Sequence, residues 1–165
     1  MGIGTATPGS KLSVAGTIES TSGGVKFPDA STQTIAYGAP ASATVAAVET
    51  TTSTSYTDLA TVGPAVTVTI SATGKALVIL TADIGNSVSA AGTYMGTAVS
   101  GATTLAASDT TSLSESIAVV GPAIHISATY LFTGLTAGSN TFTAKYRVST
   151  GTGTWYDRNI IVYPY

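Results

Sequence analysis

"TVGPAVTVTISATGKALVILTADI", Thr61 to Ile84, decides the fold class. Within it, AVTVTI places Val66, Val68 and Ile70 on one face of an extended chain and Thr67 and Thr69 on the other. Successive side chains of a strand point to opposite faces, so strict alternation marks a half-buried β-strand. SATG supplies a turn, and KALVILTADI follows. Its run Leu77-Val78-Ile79-Leu80 is apolar at both phases of the period, which predicts a central strand covered on both faces.

The same pattern extends outward. TFTAKYRV turns Phe142, Ala144, Tyr146 and Val148 inward and Thr143, Lys145 and Arg147 outward. AIHISATYLF reads as a long strand and IIVYPY as a closing one. TYMGTAV and SIAVV read as shorter strands around the polar stretch SGATTLAASDTTSLSE, and STGTGTWYDRN as a Gly-rich hairpin loop. PASATVAAVET, 40–50, is the one helix-friendly stretch, good for a turn or two before the Thr run stops it. Roughly seven to nine strands with turns about every 8–12 residues predict an all-β, jelly-roll-like β-sandwich. Pro64, Pro122 and Pro164 fall at strand starts or ends, where a missing N–H does little harm. The expected organisation is an N-terminal shaft or assembly segment 1–38, a linker 39–55 and a head 56–165.

Composition narrows the function. Only 8% of the residues are charged and the net charge is −2, so no basic stripe for nucleic acid can be drawn. Yet 44% are apolar and the mean hydropathy is +0.37, so the chain has the material for a folded core and a surface of hydroxyls rather than ions. So little charge favours association over a free monomer. No cysteine is present, which removes disulfides and thiolate metal sites. No apolar run is long enough to span a membrane as a helix, and the first residues lack the pattern of a secretory signal.

The opening stretch, GIGTATPGSKLSVAGTIESTSGGVKFPDASTQTIA, has strand-like apolar beats at Leu12, Val14, Ile18, Val25 and Phe27. They are too few to bury one another within one chain, but would suffice if several copies shared one core. These five are the candidate assembly residues.

Its words GIGTATPGSKLSVAGTI and GGVKFPDASTQTIA resemble those of shafts of phage tail fibres and bacterial fibrous proteins. In that family a Gly follows Pro-Asp; here Ala30 stands there, which puts the turn geometry at issue. The words AVSGATT, AASD, LTAGSNTFTAKYRVSTGTGT and NIIV resemble a domain of phage tail, minor-tail and actinobacterial surface proteins. That resemblance implies a jelly-roll head similar in outline to trimeric tumour-necrosis-factor-like heads.

Candidate sites are few. His125 is the only histidine; it is expected on a strand surface, with three copies on a trimer axis as its only route to a metal or anion. Asp58, Asp83, Asp109, Glu115 and Asp157 are scattered singly, with no spacing that suggests a pair of catalytic carboxylates. No GxSxG elbow occurs, and GTGT lacks the lysine of a phosphate loop. The best surface candidates are Tyr94 and the cluster Trp155, Tyr156, Asp157 and Arg158, whose aromatic and charged groups suit sugar or protein binding. The competing reading is that these aromatics pack at a subunit contact or cap the sandwich. Tyr163 and Tyr165 are expected to dock against the body or a neighbour.

The expectation is a non-enzymatic structural or adhesive subunit of a phage tail fibre or similar extracellular fibre. It needs no cofactor or metal, and works on a virion or outside the cell. Expected partners are further copies of the chain (a trimer, or a filament), other virion or fibre proteins, and a host-surface glycan or protein; nucleic acid and membrane insertion are not expected. A capsid decoration protein, a filament subunit built by strand exchange and a carbohydrate-binding module are the alternatives.

Overall fold

The computed structural model describes residues 2–3, 6–7, 13–33, 38–116 and 124–165, and divides the chain into two compact units, Met1–Ala36 and Tyr37–Tyr165. No α-helix occurs among the described residues.

The first unit holds two small ribbons. β1 (Gly2–Ile3) pairs in parallel with β2 (Ser13–Val14), and β3 (Val25–Lys26) pairs antiparallel with β4 (Thr32–Gln33). The β3–β4 turn is closed by Phe27 N–H donating to Ser31 O at 2.8 Å and Ala30 N–H to Phe27 O at 3.0 Å. The Asp29 carboxylate accepts from Ser31 N–H at 2.9 Å and its hydroxyl at 2.5 Å; these bonds hold its pKa below the ordinary value. The turn keeps its left-handed residue although that residue is alanine: Ala30 has φ 67°, a conformation that costs an L-residue about 1–2 kcal/mol.

The second unit is a β-sandwich. It is built from β5 (Ala41–Val45), β6 (Glu49–Thr51), β7 (Ala65–Ile70), β8 (Ala76–Asn86), β9 (Gly92–Gly101), β10 (Ser112–Ser116), β11 (Ile124–Phe132), β12 (Gly138–Val148) and β13 (Gly153–Pro164). One sheet runs β10-β9-β12-β7; the other runs β11-β8-β13-β5, with β6 also paired to β13. Every strand pairing among the described residues of this unit is antiparallel.

The inner faces of β7 and β12 carry the residues that the alternation predicted, and β8 and β13 add theirs. Val66, Val68 and Ile70 of β7, Val78 and Leu80 of β8, Phe142, Ala144, Tyr146 and Val148 of β12, and Ile160 and Val162 of β13 are buried in one core. Phe132 meets Phe142 edge-on at 5.8 Å between centroids. Apolar area removed from water at about 25 cal/mol per Å² drives the two sheets together.

Four readings need correction. PASATVAAVET forms no helix: Ala41–Val45 is β5, with alternating exposure, because β13 offers it an unpaired edge and tertiary pairing overrides alanine's weak preference. The stretch 39–55 read as a linker thus supplies β5 and β6 to the head. The polar stretch SGATTLAASDTTSLSE hides β10, whose Leu113 is buried in the core while Ser114 and Ser116 are exposed. The rest of SIAVV and Pro122 lie outside the described residues.

STGTGTWYDRN is not a loop beyond its first residues, since β13 begins at Gly153. Gly153 is there for space rather than for a turn. A Cβ at that position would lie 2.4 Å from the Trp155 ring and 2.5 Å from a Val148 methyl. Further along, three steps of β13 (Tyr156 to Asn159) oppose two steps of β8 (Asp83 to Thr81). Asp157, at φ 47°, is the extra residue of this bulge. It flips the phase of the strand. Without it, Trp155 facing in would have sent Ile160 and Val162 outward; with it, Trp155, Arg158, Ile160 and Val162 all face the core.

Candidate functional site

The bulge decides the fate of the aromatic cluster. Trp155 and Arg158, expected on a binding surface, are both fully buried. The Trp155 and Tyr146 rings meet at 5.3 Å with a 67° interplanar angle, and the Arg158 guanidinium lies 5.3 Å from the Tyr146 centroid. Arg158 Nη2 donates to Glu49 Oε2 at 2.8 Å and to Ala47 O at 3.3 Å. Glu49 Oε1 accepts from both the N–H (2.9 Å) and the hydroxyl (2.6 Å) of Thr61. Burial pushes the Glu49 carboxyl up, but the hydrogen bonds from Thr61 and Arg158 outweigh it and hold the group below its ordinary value. Burial raises the Tyr146 phenol, whose O–H donates to Gly63 O at 2.7 Å. Arg158 Nε and Nη1 and Trp155 Nε1 are buried and make no hydrogen bond. This is an internal clamp that ties β6 and the loop at Thr61 to β13. Of the predicted cluster only Tyr156, half-buried, and Asp157, exposed, reach solvent.

Tyr94 is not free either. It lies on the outer face of the four-stranded sheet, where the Arg147 guanidinium sits 3.9 Å from its centroid. Arg147 donates through Nε to Asp109 Oδ1 at 2.8 Å and through Nη2 to Asp109 Oδ2. Tyr56 O–H also donates to Asp109, at 2.9 Å. Burial pushes the Tyr56 phenol up to about 12. The hydrogen bond from Arg147 keeps the Asp109 carboxyl below its ordinary value against burial. Lys145 Nζ is paired with both oxygens of Asp58 at 2.7 Å. The chain therefore covers this face with its own residues, and the aromatic and cationic groups there are already engaged.

The outer face of the five-stranded sheet is different. Its side chains are Leu77, Ile79, Thr81 and Asp83 of β8, His125, Ser127, Thr129 and Leu131 of β11, and Asn159, Ile161 and Tyr163 of β13. The rule that an all-apolar strand is covered on both faces holds for only one: Val78 and Leu80 are fully buried, whereas Leu77 and Ile79 are half-buried among their sheet neighbours. Leu131 is 55% and Tyr163 41% exposed. An open cleft of about 410 Å³, lined by Thr73, Lys75, Leu77, Leu131 and Tyr165, continues this surface. Tyr165 is docked through its backbone: its N–H donates to Lys75 O at 3.0 Å, and its carbonyl accepts from Ser71 and Thr73 hydroxyls.

His125 stands on this face, exposed, with Nδ1 3.0 Å from Asp83 Oδ1. Among the described residues no group of three His, Asp or Glu side chains converges on a metal-sized space. Asp58, Asp83 and Asp109 each face a basic side chain, on different parts of the sandwich.

In the first unit, Leu12 lies outside the described residues. Val14 is half-buried. Ile18, Val25 and Phe27 are 65%, 51% and 45% exposed.

No family model matches the chain, and no curated protein is significantly similar to it.

Proposed function

We propose that the chain is a non-enzymatic structural or adhesive subunit of a phage tail fibre or a similar extracellular fibre, acting as a homo-oligomer, with a trimer the preferred state. The observation that carries this reading is the exposure of Ile18, Val25 and Phe27. These side chains recur with strand-like rhythm in a unit that buries none of the three itself. Copies that share them would recover roughly 1.5–3 kcal/mol for each fully buried large side chain. The likeness of GIGTATPGSKLSVAGTI and GGVKFPDASTQTIA to fibre-shaft words agrees with it. So does the small complement of charge, 8% of residues, which leaves little repulsion between copies.

The head is read as a jelly roll. Eight strands, β5 and β7 to β13, fill two four-stranded layers ordered β10-β9-β12-β7 and β11-β8-β13-β5, the chain changing layer at every step except β9 to β10, an order that fits two interlocked Greek keys. On a virion or fibre, several heads on one stem would bind a surface through many weak contacts at high effective concentration.

Negative-stain imaging of the purified full chain tests the reading. Discrete particles with rotational symmetry are expected, and Phe27→Ser with Ile18→Ser should disperse them. A dispersed wild-type chain would overturn the proposal. Release of reducing ends from host polysaccharide would overturn its non-enzymatic part.

A further inference from the structure

We propose that a second copy of this chain seats on the outer face of the five-stranded sheet, with Leu131, Tyr163, Leu77, Ile79 and Ile161 at the centre of the contact. The inference rests on the self-association proposed above and says where on the head it occurs.

Four observations lead there. First, the two outer faces are treated oppositely. The four-stranded sheet is closed over by the Tyr56–Asp109–Arg147–Tyr94 network and the Lys145–Asp58 pair. The five-stranded sheet presents aliphatic and aromatic side chains with no such cover from the described residues of the head. Second, those side chains form one continuous patch. Leu131 pairs across with Leu77, Leu77 with Tyr163, and Ile79 with Ile161. Contiguous apolar surface of this kind marks an interaction site, where scattered exposed side chains do not.

Third, the chemistry of the face suits a copy of itself. Between Lys75 at one end and the Asp83–His125 pair at the other, the outward side chains of β8 and β11 and those of β13 beyond its bulge carry no charge. The polar ones are mostly hydroxyls: Thr81, Ser127, Thr129 and Tyr163. Thr81 donates to Ser127 and Ser127 to Leu80 O within the sheet, so these two keep lone pairs to accept with; a hydroxyl both donates and accepts, so Thr129 and Tyr163 of a like face can meet them, as two carboxylates or two ammonium groups cannot. A strongly basic or acidic partner would find nothing here to pair with.

Fourth, the size is adequate. Three strands about 4.8 Å apart and some 30 Å long, with the five-residue β5 beside them, give roughly 500 Å² in projection. Side chains standing off the sheet raise the accessible area toward the roughly 800 Å² per partner of a stable interface.

The test uses the full chain carrying Leu131→Lys or Tyr163→Lys, with Val62→Lys, at an exposed loop position off this face, as control. Both target side chains are exposed, so circular dichroism and the monomer's melting should not move. Sedimentation over a range of concentrations should show each face variant at least tenfold weaker in self-association, and the control unchanged. A single cysteine placed by Thr129→Cys should react with a charged maleimide more slowly as protein concentration rises, and one placed by Ser100→Cys should not. If the wild type is oligomeric and both face variants keep its mass, the placement is wrong and self-association stands. If the wild type is monomeric at every concentration, self-association itself fails. Protection of Thr129→Cys in a monomer would mean that the chain covers this face itself, which also overturns the inference.

Discussion

Glu49→Gln should unfold the head far more easily than its half-hidden surface position suggests. The Glu49 side chain is 12% exposed and its partner Arg158 fully buried. The carboxylate accepts three hydrogen bonds, two from Thr61 and one from Arg158. An amide offers one acceptor oxygen and turns an N–H₂ donor toward whichever partner it abandons, so at least one contact becomes donor against donor. The larger loss is electrostatic: Arg158 stays buried without a counter-charge, and removing one member of such a pair costs about 3–5 kcal/mol. In a unit of this size that lowers the melting temperature by about 10–20 °C. Urea unfolding followed by the fluorescence of Trp155, the only tryptophan, reads the effect directly.

The same pair carries a pH signature. The Glu49 carboxyl sits below its ordinary 4.5 in the folded chain. Its contribution is therefore complete above the unfolded value and is lost as pH falls through the folded one. The gap between wild type and Glu49→Gln should be largest near neutrality and narrow below about pH 4. Adding Arg158→Met to Glu49→Gln should restore most of the stability, because an apolar side chain on Tyr146 needs no counter-charge. A Glu49→Gln loss under about 1 kcal/mol would mean that Arg158 does not depend on this carboxylate, since a dependent buried charge predicts several times more. So would a double variant no more stable than the single one.

Three further outcomes are expected. Gly153→Ala forces a methyl against Trp155 and Val148 and should destabilise the head by about 1–3 kcal/mol in chemical denaturation, as overpacked cores do. Ala30→Gly removes the positive-φ penalty and should slow amide exchange of Ala30 and Phe27, whose N–H groups close the β3–β4 turn; unchanged rates would mean that the turn stores no strain. Tyr94→Ala uncovers one side of the Arg147 guanidinium and should lower stability by about 0.5–2 kcal/mol; a larger loss of surface or glycan binding than of stability would restore Tyr94 as a recognition residue.

The fold was legible where side-chain period and exposure agree. AVTVTI and TFTAKYRV name their own inner faces, and the structure keeps both without a shift. It was not legible where a backbone irregularity resets the period. Read straight through, TWYDRNIIV puts either Trp155 or Ile160 outside; only the left-handed Asp157 allows both inside, and Asp is too common in loops to announce a bulge. Gly153 misled for a related reason, because glycine chosen to make room for an indole looks like glycine chosen to turn the chain. Leu77 and Ile79 carried a second message. Their alternation with Val78 and Leu80 signalled two buried faces, and the described residues of the head cover one.

The proposed function stands or falls on self-association of identical copies. The mass of the wild-type full chain in solution, followed by sedimentation equilibrium across a wide concentration range, tests it most directly. A discrete species at three times the 16.3 kDa chain mass is expected; a chain that stays at 16.3 kDa at the highest concentration reached would overturn the proposed function.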